Sequence, residues 1–124
     1  MNEEVSPLHY IQYPFGYNRM NVYVTEQFES WLAGLSDERL KGRILSRLRL
    51  IGLGSFGDCK PVSHGLHEVR IHISGGVRLY FYNSVDQSIV VVLAGRKATQ
   101  RADIKRACLL YTSPSPPDRT RSRM

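Results

Sequence analysis

The chain has 124 residues, 42% of them hydrophobic, and a formal net charge of +6 at pH 7. This length suits one small domain that buries a core without disulfides or metal. The longest apolar run, residues 89–94, is too short to span a bilayer, and no secretory leader opens the sequence, so we expect a cytoplasmic protein. The basic charge favours an anionic partner, nucleic acid first and acidic protein second.

Residues 1–19 are rich in tyrosine and proline and show no sustained period. Pro7 and Pro14 would interrupt a helix, and Met20 follows at once. Two interpretations stay open: this segment lies upstream of a natural start at Met20, or it is an arm that packs its aromatic side chains on the domain.

A short strand over residues 21–24 and two amphipathic helices are predicted next. Thr25 is the expected N-cap of the first helix and Ser36 that of the second, which ends near Gly52. The predicted buried stripes are Phe28, Trp31, Leu32 and Leu35 in the first helix and Leu40, Ile44, Leu48 and Ile51 in the second.

The outer face of the second helix is strongly basic. Its cations are Arg39, Lys41, Arg43, Arg47 and Arg49. They form either a solvated face or a docking surface for RNA phosphates or an acidic helix, because like charges this close otherwise cost helix stability. Arg43 and Arg47 are therefore counted as candidate RNA-binding residues.

Residues 52–65 are predicted to form a long glycine-rich loop. The loop lacks the lysine and hydroxyl of a phosphate-binding P-loop. Because loops of this length are often functional, Lys60 and His64 are candidate site residues, although each also fits an ordinary surface position. The two cysteines, Cys59 and Cys108, lack metal-ligand spacing, and we expect no metal, no cofactor and no disulfide.

Three consecutive strands are predicted over residues 65–73, 77–82 and 88–94. In the first two, apolar and polar side chains alternate, which predicts one core face and one chemical face. The predicted chemical face carries Glu68, Arg70, His72, Arg78, Tyr80 and Tyr82. The third strand is apolar on both faces, which predicts a central strand covered on both sides.

The alternation also suggests a register for the first hairpin. A two-residue turn would mix the two faces, whereas a three-residue loop at residues 74–76 keeps them pure. Arg70 is then expected opposite Tyr80, His72 opposite Arg78, and the two arginines on a diagonal of roughly 7–8 Å. Two guanidinium groups at that separation would repel each other unless an anion lay between them.

A basic turn with Arg96 and Lys97 follows Gly95 and leads into a last helix. Lys97 lies where strand meets helix, a position at which outward-pointing backbone amides favour an anion. Thr99 is the expected N-cap of this helix, Asp103 lies in its early turns, and Ile104 and Ala107 are expected to face inward.

Residues 108–116 resemble the translated read-through of a transposase adaptor used in sequencing libraries. We interpret residues 108–124 as a non-native disordered tail; the alternative is a natural Ser/Pro/Arg-rich tail.

Six short stretches, in order, carry a family resemblance over residues 20–107. They are Phe-Glu-Ser-Trp-Leu at 28–32, Gly-Asp-Cys-Lys at 57–60, Glu-Val-Arg-Ile at 68–71, Val-Arg-Leu-Tyr-Phe at 77–81, Leu-Ala-Gly-Arg-Lys-Ala-Thr-Gln at 93–100 and Asp-Ile at 103–104. The set resembles the RelE/ParE superfamily of bacterial toxins, and within it the HigB-like addiction-module killer proteins. We therefore expect an α+β fold, β-α-α-β-β-β-α, with an antiparallel sheet packed by two N-terminal helices.

The resemblance implies a toxin that enters the ribosomal A site, cleaves mRNA there and is neutralised by a cognate helix-turn-helix antitoxin. Attack of a ribose 2′-hydroxyl on the adjacent phosphate builds negative charge that Arg and Lys stabilise without metal. We assign Arg70 and Arg78 to phosphate stabilisation, Lys97 to phosphate binding or proton transfer, and Tyr80 to base stacking or hydrogen bonding. The general base stays open among Lys97, His64 and His72.

Lys60, His64, His72 and Arg96 complete the candidate RNA-binding set. Ordinary structural roles also fit two of the catalytic candidates: Arg70 as an ion-pair partner near Glu68, and Tyr80 as a half-buried sheet residue. Two other functions remain open, a ParE-like inhibitor of DNA gyrase without chemistry and an inactive homologue that only binds antitoxin. Cations that converge on one open face favour the nuclease, whereas a site covered by a C-terminal element favours the gyrase inhibitor.

Overall fold

A computed structural model of the chain describes residues 10–13, 19–73, 75–83 and 87–112. The elements are β1 (Tyr10–Gln12), β2 (Asn21–Thr25), α1 (Glu26–Ala33), α2 (Glu38–Gly52), β3 (Asp58–Ser63), β4 (Leu66–Ile71), β5 (Val77–Asn83), β6 (Ser88–Gly95) and α3 (Gln100–Thr112), with a 3-10 turn at Lys97–Thr99. The expected α+β class is confirmed. None of the helices in these ranges is long and apolar enough to cross a membrane.

The six strands form one mixed sheet in the order β1-β2-β6-β5-β4-β3. β2 runs parallel to β6, and the other neighbouring pairs are antiparallel. The expected β-α-α-β-β-β-α order and antiparallel sheet were therefore wrong in detail. The two strands that were not predicted, β1 and β3, lie at the two edges.

β3 replaces the second half of the predicted loop at residues 52–65. Pro61 interrupts its sequence pattern, and an edge strand tolerates proline because one side of its backbone needs no ladder partner. Ser63 pairs with Leu66, so His64 and Gly65 form a two-residue hairpin turn in which Gly65 has a φ of 72°. Such a turn favours glycine because a positive φ is strained for other residues.

The helix starts follow from side-chain caps. Phe28 N donates to Thr25 Oγ1 at 3.1 Å, which confirms Thr25 as the N-cap of α1. The N-cap of α2 is Asp37 and not Ser36, because the Asp37 carboxylate accepts from the backbone amides of Arg39 and Leu40, both at 3.1 Å. A carboxylate at this position also favours the positive end of the helix dipole.

The helices cover the two faces of the sheet unequally. α1 and α2 pack on one face through the predicted stripes, and Leu40, Ile44, Leu48 and Ile51 are all buried. On the other face, Ala107 of α3 packs with Leu66, Tyr80, Tyr82 and Val92. β6 is the central strand covered on both sides, as predicted, but the face expected to be wholly chemical is largely a second core layer.

The register of the β4–β5 hairpin differs from the expected one by two residues. Ile71 pairs with Val77, Arg70 with Arg78, and Glu68 with Tyr80. The expected pairs Ile73–Val77, Arg70–Tyr80 and His72–Arg78 were therefore wrong. A shift of two residues leaves every side chain on its own face, so the hydrophobic pattern cannot distinguish the two registers.

A bulge in β6 brings β2 and α1 into the same hydrogen-bond network. Tyr80 pairs with Leu93 and Phe81 with Val91, which leaves Val92 as the additional residue. Thr25 Oγ1 donates to the Val92 carbonyl oxygen at 2.8 Å. The hydroxyl that caps α1 thus also satisfies a backbone acceptor in the bulge.

Parts of both terminal segments are described. β1 pairs antiparallel with β2, and the Tyr13 hydroxyl donates to Glu29 Oε1 at 2.6 Å. α3 continues to Thr112, so it includes the first five residues of the segment interpreted as a tail. Residues 1–9, 14–18 and 113–124, on which the rest of those two interpretations depends, lie outside the described residues.

Candidate functional site

The observed register aligns polar side chains in two rows across β3, β4, β5 and β6. The arginine row consists of Asp58, Arg70, Arg78 and Gly95, and the glutamate row of Lys60, Glu68, Tyr80 and Leu93. Side chains directly opposite one another on neighbouring strands share a face and have Cβ atoms about 4.5–5.5 Å apart. The two arginines are therefore much closer than the diagonal arrangement would place them.

Glu68 is the anion that lies between the arginines. Its Oε2 atom lies 3.5 Å from Arg78 Nε, and its Oε1 atom lies 3.9 Å from Arg70 Nη2. Gln100 Nε2 donates to Oε2 at 2.6 Å, which ties the first residue of α3 to the sheet. Glu68 is only 1% exposed, so water cannot solvate its carboxylate. The contacts with Arg70, Arg78 and Gln100 take the place of that hydration.

Both arginines line an open pocket at the end of the β4–β5 hairpin, which we call the arginine pocket. Its volume is about 380 Å³, and its lining consists of Arg70, His72, Ile73, Gly75, Gly76 and Arg78. The Arg70 side chain is 35% exposed, whereas that of Arg78 is 5% exposed. Arg96 Nη1 donates to the Gly76 carbonyl oxygen at 3.5 Å, which brings a third guanidinium to the rim. Such a group of donors suits a phosphate.

A smaller pocket of about 240 Å³ adjoins it and shares Arg70. Asp58, Lys60 and Glu68 complete this lining. Arg70 therefore separates two openings, one with arginine and histidine side chains and one with both carboxylates and Lys60.

Asp58 and His72 are paired at the exposed end of the arginine row. His72 Nε2 lies 2.8 Å from Asp58 Oδ2, and the two side chains are 67% and 58% exposed. The hydrogen bond from His72 lowers the pKa of Asp58, and the charges of Arg70 and Lys60 lower it further, although partial burial opposes them. Asp58 is therefore a carboxylate at neutral pH.

Tyr80 has a different environment from the one predicted. The side chain is fully buried beneath α3. Burial raises the pKa of its hydroxyl, and the carboxylates of Glu68 and Asp103 raise it further. The prediction that Tyr80 stacks on a base was therefore wrong, because a buried ring offers no surface to a base.

The start of α3 lies close against β6. The Asp103 carboxylate contacts Gly95 so closely that a Cβ atom there would collide with it. Thr99 Oγ1 donates to Asp103 Oδ2 at 2.6 Å, which orients the carboxylate. Gly95 thus ends the arginine row without a side chain because α3 occupies the space.

The remaining predicted site residues are divided among several surfaces. Lys97 is exposed in the 3-10 turn after β6 rather than in the pocket lining. His64 lies in the β3–β4 turn, at the end of β4 farthest from Arg70. Arg43 and Arg47 lie on α2, which packs on the opposite face of the sheet, so neither shares the surface of the arginine pocket.

Asp58 and Gln100 were not predicted to belong to the site, and Glu68 was not predicted to neutralise it. Glu68 could have been identified from its position two residues before Arg70, which puts both side chains on one face. Asp58 could not be placed, because β3 was interpreted as a loop. Gln100 reaches the site only through the packing of α3, for which the sequence has no local signal.

The chain has a relative among known proteins. The chain is 37% identical over 91 residues to an uncharacterized protein of Haemophilus influenzae, and the alignment covers 73% of this chain and 92% of that protein. No family model matches the chain.

Proposed function

The chain belongs to the same family as the Haemophilus influenzae protein, and we propose that it is the toxin of a type II toxin–antitoxin module that cleaves mRNA on the ribosome. One observation carries this proposal: Arg70 and Arg78, direct cross-strand neighbours, both line an open pocket. The resemblance of the sequence motifs to the RelE/ParE superfamily supports it.

In this proposal the arginine pocket holds the scissile phosphate. The ribose 2′-hydroxyl attacks the adjacent phosphorus, and negative charge develops on the non-bridging oxygens. Arg70 and Arg78 stabilise that charge because their guanidinium groups are already held in place by Glu68. Since the nucleophile belongs to the RNA and the two arginines stabilise the developing charge, the proposed reaction needs no metal or cofactor.

The neighbouring cations bind flanking phosphates. Arg96 lies at the rim of the pocket, Lys97 follows it on an exposed turn, and Lys60 lines the adjoining opening. Salt-dependent contacts of this kind position an RNA strand without reading its sequence. The partners in this account are the ribosome, its mRNA and a cognate helix-turn-helix antitoxin, all in the cytoplasm.

A second candidate function, inhibition of DNA gyrase without chemistry, is favoured by a different observation. α3 covers Tyr80, and the buried carboxylate of Glu68 offsets the charge of Arg78. A face that α3 partly covers and Glu68 partly neutralises suits a binding surface better than a nuclease site, and it also suits a homologue that only binds antitoxin.

Inducible expression distinguishes these functions. Primer extension on cellular mRNA is compared with a plasmid supercoiling assay on the same cells, for the wild type and for Arg70→Ala and Lys97→Ala. New mRNA ends that disappear in both variants support the nuclease. Accumulation of cleaved DNA with intact mRNA would instead identify gyrase as the target, and growth inhibition with neither change would contradict both proposals.

A further inference from the structure

The Asp58–His72 pair lies directly beside the two arginines. Asp58 belongs to the arginine row with Arg70 and Arg78, and His72 lines the arginine pocket with both of them. The pair is formed across strands, because Asp58 opens β3 whereas His72 follows the end of β4. In the observed β4–β5 register, Arg70 is opposite Arg78 and the pairing ends at Ile71. His72 therefore lies just beyond the paired residues, where its side chain reaches Asp58.

The hydrogen bond fixes which nitrogen of His72 carries the proton. An ionised carboxylate only accepts, so the proton of the 2.8 Å bond must belong to His72 Nε2. In the neutral ring the lone pair is then on Nδ1. A carboxylate that holds an imidazole in one tautomer is the arrangement that general-base histidines use in hydrolases.

The charges around the pair favour a reaction that gathers negative charge in the pocket. Asp58 contacts His72 from β3, and Arg70 of β4 and Arg78 of β5 line the same pocket as His72. Lys60 lies in the adjoining opening beside Asp58 and Arg70. The arginines draw in a phosphate diester, and the imidazole lies in the same lining, where a ribose hydroxyl next to that phosphate would come within its reach.

We propose that His72 is the general base of the site and that Asp58 is the residue that positions it. This inference rests on the proposed function. Nδ1 of His72 takes the proton of the 2′-hydroxyl as the bond from O2′ to phosphorus forms. The bond from phosphorus to O5′ of the next nucleotide breaks, and that oxygen takes a proton from solvent. The products are a 2′,3′-cyclic phosphate and a 5′-hydroxyl end, with no oxidation or reduction.

Two substrates separate this inference from the proposed function. The first is mRNA on purified ribosomes. The second is uridine 3′-(4-nitrophenyl phosphate), an aryl ester whose cyclisation needs the base but not the ribosome. The full chain is assayed on both from pH 5 to pH 8 as wild type, His72→Gln, Asp58→Asn and Glu26→Gln, the last a matched carboxylate-to-amide change at the exposed start of α1.

His72→Gln is expected to lose about 10²-fold or more of the cleavage rate, the usual contribution of a general base. Asp58→Asn should lose less, and its loss should appear in kcat rather than in KM because the side chain positions the base and does not bind the substrate, whereas Glu26→Gln should match the wild type. Added imidazole should partly restore His72→Ala, which a purely structural role would not allow.

Each outcome decides a different part of the account. Equal mRNA cleavage by the wild type and His72→Gln overturns the role of His72 and leaves the nuclease intact. Ester cyclisation that depends on His72, together with uncut mRNA, supports the base and contradicts the proposed function. Failure of the wild type on both substrates overturns both.

Discussion

Arg70 and Arg78 are direct neighbours on β4 and β5, and both contact the same buried carboxylate, that of Glu68. Like charges opposite one another destabilise a sheet unless an anion offsets them. The chain supplies that anion itself, two residues from Arg70 on the same face. The pair is therefore held in place before any ligand binds, which is the condition for stabilising a transition state without reorganisation.

The first prediction concerns Glu68. Glu68→Ala leaves Arg78 buried without its carboxylate and should lower the free energy of unfolding by about 3–5 kcal/mol, the usual cost of breaking a buried ion pair. Urea denaturation measures it. In the double variant Glu68→Ala/Arg78→Met, part of this loss should return because no unpaired charge remains. If Glu68→Ala unfolds like the wild type, the carboxylate does not hold the arginines.

The second prediction concerns the contact between α3 and β6. A Cβ atom at Gly95 would collide with the Asp103 carboxylate, so Gly95→Ala should destabilise the fold by about 1–3 kcal/mol. Gly42→Ala is the matched control, because Gly42 lies within α2 with open space around its Cβ position. It should stabilise by about 0.5–1 kcal/mol. Thermal unfolding of both variants in one buffer should show a lower melting temperature for Gly95→Ala and a higher one for Gly42→Ala. Shifts of the same sign would refute the close approach of Asp103 to Gly95.

The third prediction tests the two hydrogen bonds of Thr25. Thr25→Val removes the cap of α1 and leaves the Val92 carbonyl without the hydroxyl, and it should cost about 2 kcal/mol of unfolding free energy. Thr25→Ser retains the hydroxyl and should lose clearly less. Equal losses in chemical denaturation would mean that only the methyl group matters.

The fourth prediction concerns the titration of Asp58. The hydrogen bond from His72 lowers the Asp58 pKa, so His72→Ala, which removes the donor, should raise it, as carboxyl carbon NMR titration would show. Because the folded pKa lies below the unfolded one, the contribution of this pair to stability is present above the unfolded pKa and is lost as the pH falls through the folded one. An Asp58 pKa that does not move in His72→Ala would contradict the pairing.

Local signals predicted the parts of the fold that depend on neighbouring residues. Thr25 as a cap, the buried stripe from Leu40 to Ile51 and the central position of β6 all follow from patterns within one element. Asp37 was missed by one residue because Ser36 and Asp37 are both good caps, and the choice between them depends on which side chain faces the free amides.

The site depends on properties that no single segment shows. The alternation of side chains along each strand places Arg70 and Arg78 on one face of the sheet. The length of the connection between Ile71 and Val77 decides that the two arginines are paired directly across the strands. Asp58 became a neighbour only because an edge strand with Pro61 pairs there. Tyr80 lost its predicted contact with RNA because α3 packs over it, a tertiary contact that the alternating pattern of β5 does not report.

The proposed function requires that the arginine pocket binds the phosphate at which mRNA is cut. Purified ribosomes with an mRNA in the A site are incubated with the wild type, with Arg70→Ala and with Arg106→Ala, which removes an exposed positive charge from α3. Arg70 is the suitable arginine because it is partly exposed and its loss leaves Arg78 paired with Glu68. If the pocket binds that phosphate, the wild type and Arg106→Ala should cleave the mRNA, and Arg70→Ala should lose about 10²-fold or more of the cleavage rate. Equal cleavage by all three proteins, or intact mRNA with the wild type, would contradict it.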